Sequence, residues 1–157
     1  MQLTLRFILA ILVGFPLGGE RFAERQDIPY QVLDTRLPSH TDSIMDSSYV
    51  ISVGSVLVVK DVQNLICRVF QQNVQMPADR IAIRVYYNLS EYVPPVHEYS
   101  KTAERLKKHQ LAYYLWSNRA PDSTQRLALT MDARGKPLKR WQYYDFNHTK
   151  DCQGKTQ

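Results

Sequence analysis

The strongest constraint on the fold is a β-branched run followed directly by an amphipathic stretch. Tyr49-Val-Ile-Ser-Val-Gly-Ser-Val-Leu-Val-Val59 is dense in residues that favour strands, and it predicts a buried central strand, with two segments meeting at Gly54 and Ser55 as the variant. Lys60 and Asp61 close it, and Asp61 is placed to cap a helix. From Val62, apolar residues recur at Leu65, Ile66, Val69, Phe70 and Val74, the spacing of one helical face. Arg68, Gln71, Gln72 and Asn73 take the other side, and Met76-Pro77 ends the pattern, so a helix over about 62–75 is expected. A strand and an apolar-striped helix each need a partner layer, which restricts the chain to a sheet covered by helix.

The remaining segments fit that frame. In Arg80–Tyr87, Ile81, Ile83, Val85 and Tyr87 alternate with Arg80, Ala82, Arg84 and Tyr86, predicting a strand with one buried face and one exposed face. Asn88 to Val96 holds two consecutive prolines and reads as an excursion from the sheet. Val96–Gln110 is polar with Val96, Tyr99, Ala103 and Leu106 near helical spacing, so it predicts a short surface helix or ordered loop. Leu111–Trp116, Arg126–Met131 and Leu138–Phe146 predict three antiparallel strands, the last two joined by a hairpin with Gly135 in a left-handed position. The expected fold is α+β: a single, mostly antiparallel sheet with one amphipathic helix packed on one face.

At 157 residues the chain suits one domain, and its 44% hydrophobic content is enough for a core. The expected organisation is a leader over 1–19, an extended polar lead-in over 20–48, the domain over 49–146 and a frayed polar tail over 147–157. Within the lead-in, Tyr30, Val32 and Leu33 allow a short edge strand. The leader assignment rests on Arg6 preceding an apolar run from Phe7 to Val13 that ends near Pro16 and Gly18-Gly19. A brief basic start before about 7–15 apolar residues is the pattern of a secretory signal peptide and falls short of a bilayer-spanning helix. Processing after Gly19 or Ala23 is expected, and the protein is expected to be secreted or periplasmic. An uncleaved anchor or a buried N-terminal element is the competing reading.

Export gives the two cysteines a meaning. Cys67 and Cys152 lie beyond the leader, and an even pair in an oxidising compartment is a candidate disulfide. The alternative is a buried thiol on the helix flank and a loose one in the tail.

Few residue constellations carry chemistry. Phosphate-cradling glycine motifs are absent from the sequence. His40, His97, His109 and His148 sit on separate polar segments and read as surface histidines, so no metal or other cofactor is expected. Cys67 falls mid-helix, away from the helix N-terminus that would favour a thiolate. One patch stands out. Arg134, Lys136, Lys139 and Arg140 surround Trp141, Tyr143 and Tyr144, and Arg84 and Tyr86 are brought near by the sheet. Interleaved cations and rings can bind single-stranded nucleic acid, yet for an exported protein with a net charge of only +5 a protein, an anionic surface or an anionic glycan is the expected partner and nucleic acid is not.

The expectation is therefore a small exported binding domain, non-catalytic, with contact residues Arg84, Tyr86, Arg134, Lys139, Arg140, Trp141 and Tyr144. Two alternatives accompany it. One is a secreted or periplasmic hydrolase with a site in the 88–109 excursion, using His97, Glu98 or Glu104. The other is a membrane-held subunit of an envelope assembly that keeps its N-terminal segment.

Overall fold

The computed structural model describes residues 28–37, 45–74, 78–119 and 125–153. The expected leader, the Met76-Pro77 helix stop and most of the loop before Gln125 lie outside the described residues. The elements are β1 (Tyr30–Arg36), β2 (Asp46–Val53), α1 (Val59–Gln72), β3 (Arg80–Tyr87), α2 (Lys101–His109), β4 (Gln110–Ser117), β5 (Arg126–Met131), β6 (Pro137–Asp145) and α3 (His148–Asp151). The strands form one six-stranded sheet in sequence order, β1 to β6. Its pairs are antiparallel except β2–β3, which is parallel because α1 carries the chain back across the sheet. An α+β fold with a single, mostly antiparallel sheet is thus what the chain adopts.

Cross-strand register explains what each face carries. One row runs Tyr49–Ile83–Tyr114–Leu127–Tyr144 and the next Ile51–Val85–Ala112–Leu129–Gln142. Apart from Tyr144 and Gln142 on the outermost strand, these residues are buried and meet Val62, Leu65, Ile66 and Val69 of α1 in the main core. The opposite face begins with Val50 and Tyr86, which form a second, smaller cluster with Leu89 and Leu106. Its lid is α2, capped by the Ser100 hydroxyl, which accepts from the Ala103 amide at 3.1 Å. Lys107, Lys108 and His109 fill the last turn of α2, where cations suit the carbonyl end of a helix.

Several local expectations shift. The central strand stops at Val53, before Gly54-Ser55, and Val56 to Val58 form the approach to α1. Helix α1 starts at Val59 rather than near 62, because Val59 extends the apolar stripe by one turn and packs on the core. Asp61 lies inside the first turn, where its charge favours the helix dipole, and no side chain caps α1. The short surface helix expected within Val96–Gln110 forms as α2, and it covers part of the other sheet face, where the expectation gave it no packing role. Gly135 does take a positive φ of 77° at the β5–β6 hairpin. Strand β1 pairs with β2, so the sheet begins within the segment read as lead-in.

The tail differs most from a frayed end. Cys152 is disulfide-bonded to Cys67, which fastens α3 to α1. Asn147 caps α3, accepting from the Thr149 amide at 3.1 Å, while Asp151 accepts from the Asn147 amide at 2.6 Å. His148 is not a surface histidine: its ring stacks on Phe70 with centroids 3.4 Å apart, and its Nδ1 is 3.2 Å from the Tyr114 hydroxyl. Burial pushes the His148 imidazole down to about 4 and the Tyr114 hydroxyl up to about 12.

Candidate functional site

The second face of the sheet is covered on one side only. A row across it runs Val50–Arg84–Tyr113–Ala128–Tyr143, and the next row runs Ala82–Leu115–Arg126–Asp145. Register partners share a face, so these side chains stand side by side. Helix α2 and the excursion cover Val50 and Tyr86, while toward β4 and β6 large side chains are open to solvent around the buried Ala128. There Leu115 is 41% exposed, Trp141 48% and Tyr143 59%. The Trp141 and Tyr143 rings lie 6.5 Å apart, and the Arg84 guanidinium sits 5.5 Å from the Tyr113 ring centroid. Arg126 approaches Asp145 at 3.5 Å, both well exposed, so that pair adds little rigidity.

The expected contact residues divide on this geometry. Arg84 and Trp141 belong to the open half-face or its border. Tyr86 shares the face but is 3% exposed beneath α2, and cannot offer its ring to a large partner. Tyr144 projects to the other face, in register with Leu127 and packed against the main core, because successive strand residues alternate. Arg134 is exposed in the β5–β6 hairpin, and Lys139 and Arg140 are exposed on β6. That hairpin is held by Asp132, whose Oδ1 accepts from the amides of Arg134 and Lys136 at 2.9 Å each; these bonds hold its carboxyl below the usual range. Tyr113, Leu115 and Arg126 join this face without being among the expected contact residues. Their signal was present: Tyr113 and Leu115 alternate out of phase with the core residues Ala112, Tyr114 and Trp116.

Where the open half-face meets α2, a groove of about 500 Å3 is lined by Arg84, Tyr86, Tyr92, Pro95, Glu98, Ala103, Leu106 and Lys107. The excursion reaches this position because the Asn88 amide donates to the Val53 carbonyl at 2.8 Å and the Leu89 amide to the Ser52 hydroxyl at 3.1 Å. Asn88 adopts a φ of 50° to make the turn, which asparagine tolerates better than most side chains. The Tyr86 and Tyr92 rings tilt at 44° with centroids 6.2 Å apart. Burial pushes the Tyr86 hydroxyl up to about 12. Of the three residues named for a hydrolase, Glu98 lines the groove, whereas His97 and Glu104 are exposed outside it. Among the described residues no three His, Cys, Asp or Glu side chains are grouped to hold a metal ion, and no helix is long and apolar enough to cross a membrane.

Comparison with family models, curated proteins and solved structures finds no match to this chain.

Proposed function

We propose that this chain is an exported, non-catalytic binding module that meets an acidic protein surface through the uncovered half of its sheet. One observation carries the reading: Leu115, Trp141 and Tyr143, at 41%, 48% and 59% exposure, stand exposed together on one sheet face beside Arg84 and Arg126. Large rings bordered by arginine supply the central, desolvating contacts of protein interfaces. Lys139 on β6, with Arg134 in the hairpin, adds positive charge at the border of that centre, which steers an acidic partner toward it. The bonded Cys67–Cys152 pair fits an oxidising compartment and supports export.

The hydrolase alternative is weaker, since only Glu98 of its three candidate residues reaches a recess. The envelope-subunit alternative differs in the fate of the first 19 residues, and N-terminal sequencing of the mature protein distinguishes it. A mature chain beginning after Gly19 or Ala23 supports export, while an intact Met1 in the membrane fraction supports the anchored form. The interface itself is tested by affinity capture from the extracellular and envelope fractions, comparing wild type with Trp141→Ala/Tyr143→Ala. Selective loss of one acidic protein by the variant supports the reading. Equal recovery of every protein by both forms removes this face from consideration.

A further inference from the structure

The proposed protein interface leaves the groove beside α2 without a use, and the groove has a chemistry of its own. We propose that it binds a small polyhydroxylated acid of the uronic acid class, its ring against Tyr92 and its carboxylate held by Arg84 and Lys107. This inference does not rest on the protein-binding reading; the two share Arg84 only.

The lining residues select this ligand class in three ways. First, the volume of about 500 Å3 lies within the usual range of small-molecule sites, about 300–1,000 Å3. Second, the charges are mixed. The lining holds two cations, Arg84 and Lys107, and a single carboxylate, Glu98, an excess of one positive charge that suits a monoanion. Glu98 opposes a second acid group on the ligand but accepts readily from hydroxyls. A ligand with one carboxylate and several hydroxyls satisfies all three side chains, whereas a simple aromatic acid leaves Glu98 unpaired and a neutral sugar leaves the cations unpaired. Third, the floor is apolar and partly aromatic. Tyr92 offers the accessible ring to the C–H face of a sugar ring, backed by the buried Tyr86, Ala103 and Leu106. Burial keeps the Tyr86 hydroxyl protonated at any ordinary pH, so it adds no negative charge to the groove.

Arg84 is suited to the carboxylate role because its guanidinium is held near the Tyr113 ring, 5.5 Å from the centroid, rather than left free on a long side chain. A planar guanidinium grips a carboxylate through two parallel hydrogen bonds. Lys107, in the last turn of α2, supplies the second cation of the groove.

The test uses the full chain and three probes: glucuronate, glucose and benzoate, each titrated while the Tyr86 and Tyr92 ring resonances are followed. Glucuronate is expected to give saturable shifts at both rings, with glucose and benzoate at least about tenfold weaker, the loss of a charge-assisted or hydroxyl contact. Lys107 is exposed, so Lys107→Ala is expected to keep the fold while weakening glucuronate by about tenfold. Trp141→Ala is expected to leave glucuronate affinity unchanged while weakening protein capture, which separates this site from the proposed interface. The inference is overturned by an absence of saturable shifts with glucuronate, by equal affinity for benzoate or glucose, by an unchanged affinity in Lys107→Ala, or by loss of binding in Trp141→Ala.

Discussion

The two faces of the sheet are built to different standards. One face is sealed: α1 lies across it, α3 is fastened beside α1 by the Cys67–Cys152 disulfide, and residues such as Ile51, Ile66, Ile83 and Tyr114 have essentially no exposure. The other face is sealed only over β2 and β3, by a nine-residue helix that buries two side chains, Ala103 and Leu106. From β4 outward it carries rings and cations open to solvent. Burial drives folding roughly in proportion to the apolar area removed from water. The sealed face therefore carries the stability of the domain, and the half-open face can carry recognition without endangering it.

That division makes the size of mutational effects predictable. Ile66→Ala on α1 empties a fully buried site between helix and sheet, and is expected to cost about 4 kcal/mol by transfer and cavity effects. A denaturant midpoint that falls at constant slope checks it; a loss no larger than that of a surface substitution breaks the contrast between faces. Reducing the disulfide, or replacing both cysteines by serine, releases a crosslink spanning 85 residues and is expected to cost about 3 kcal/mol. Leu106→Ala should cost about 2 kcal/mol, because the cluster beneath α2 is small and open at its rim. Amide exchange should then show α2 losing protection before α1, the order the two faces imply.

How far the sequence revealed this depends on the range of the interaction. The α1 stripe and the alternation in Arg80–Tyr87 are local patterns, and both elements form where those patterns lie. Gly135 likewise announces its turn through local backbone freedom. What the sequence hid is set by contacts between distant segments. His148 looked like one of four scattered histidines because Phe70 and Tyr114 are brought to it only by folding, with the 85-residue disulfide link beside it. Tyr86 looked exposed because alternation identifies a face but not what covers it, and α2 arrives from outside the strand. Proximity in sequence groups Tyr144 with Trp141, while its register with Leu127 turns it inward. The candidate site was thus legible as a region rather than as a set of side chains.

The sealed face also predicts a response to acid. His148 titrates near 4 in the folded chain against an ordinary value of 6.5, because its ring is packed beside Phe70, Trp116 and Tyr114. The unfolded chain therefore binds the proton more readily between pH 6.5 and about 4, and stability falls as pH drops through that window. Above 6.5 the histidine is neutral in both states and the penalty vanishes. After discounting for the partial exposure of the ring, about 1–2 kcal/mol is expected. Carboxylates contribute their own slope at low pH, so the measurement is a difference: unfolding midpoints of wild type and His148→Phe at pH 7 and pH 4.5. The variant should lose less stability on acidification. Equal losses would mean that the sealed face does not exclude the proton from His148.

The smallest effect on stability is the sharpest test of the comparison. Trp141 and Tyr143 stand on the open half-face with their rings 6.5 Å apart, and neither belongs to a buried cluster. Replacing either by alanine should change stability by no more than about 0.5 kcal/mol, as for surface positions with no buried partner. The same substitutions should weaken partner binding by at least about tenfold, since an exposed ring that desolvates on contact contributes little to folding and much to association. Lys139→Ala should do less, and its effect should fade as salt is added, because a rim cation acts mainly on the rate of encounter. If Trp141→Ala instead destabilised the domain as much as Leu106→Ala, the ring would be part of the fold's own packing. The open half-face would then be an edge of the core rather than a surface reserved for a partner.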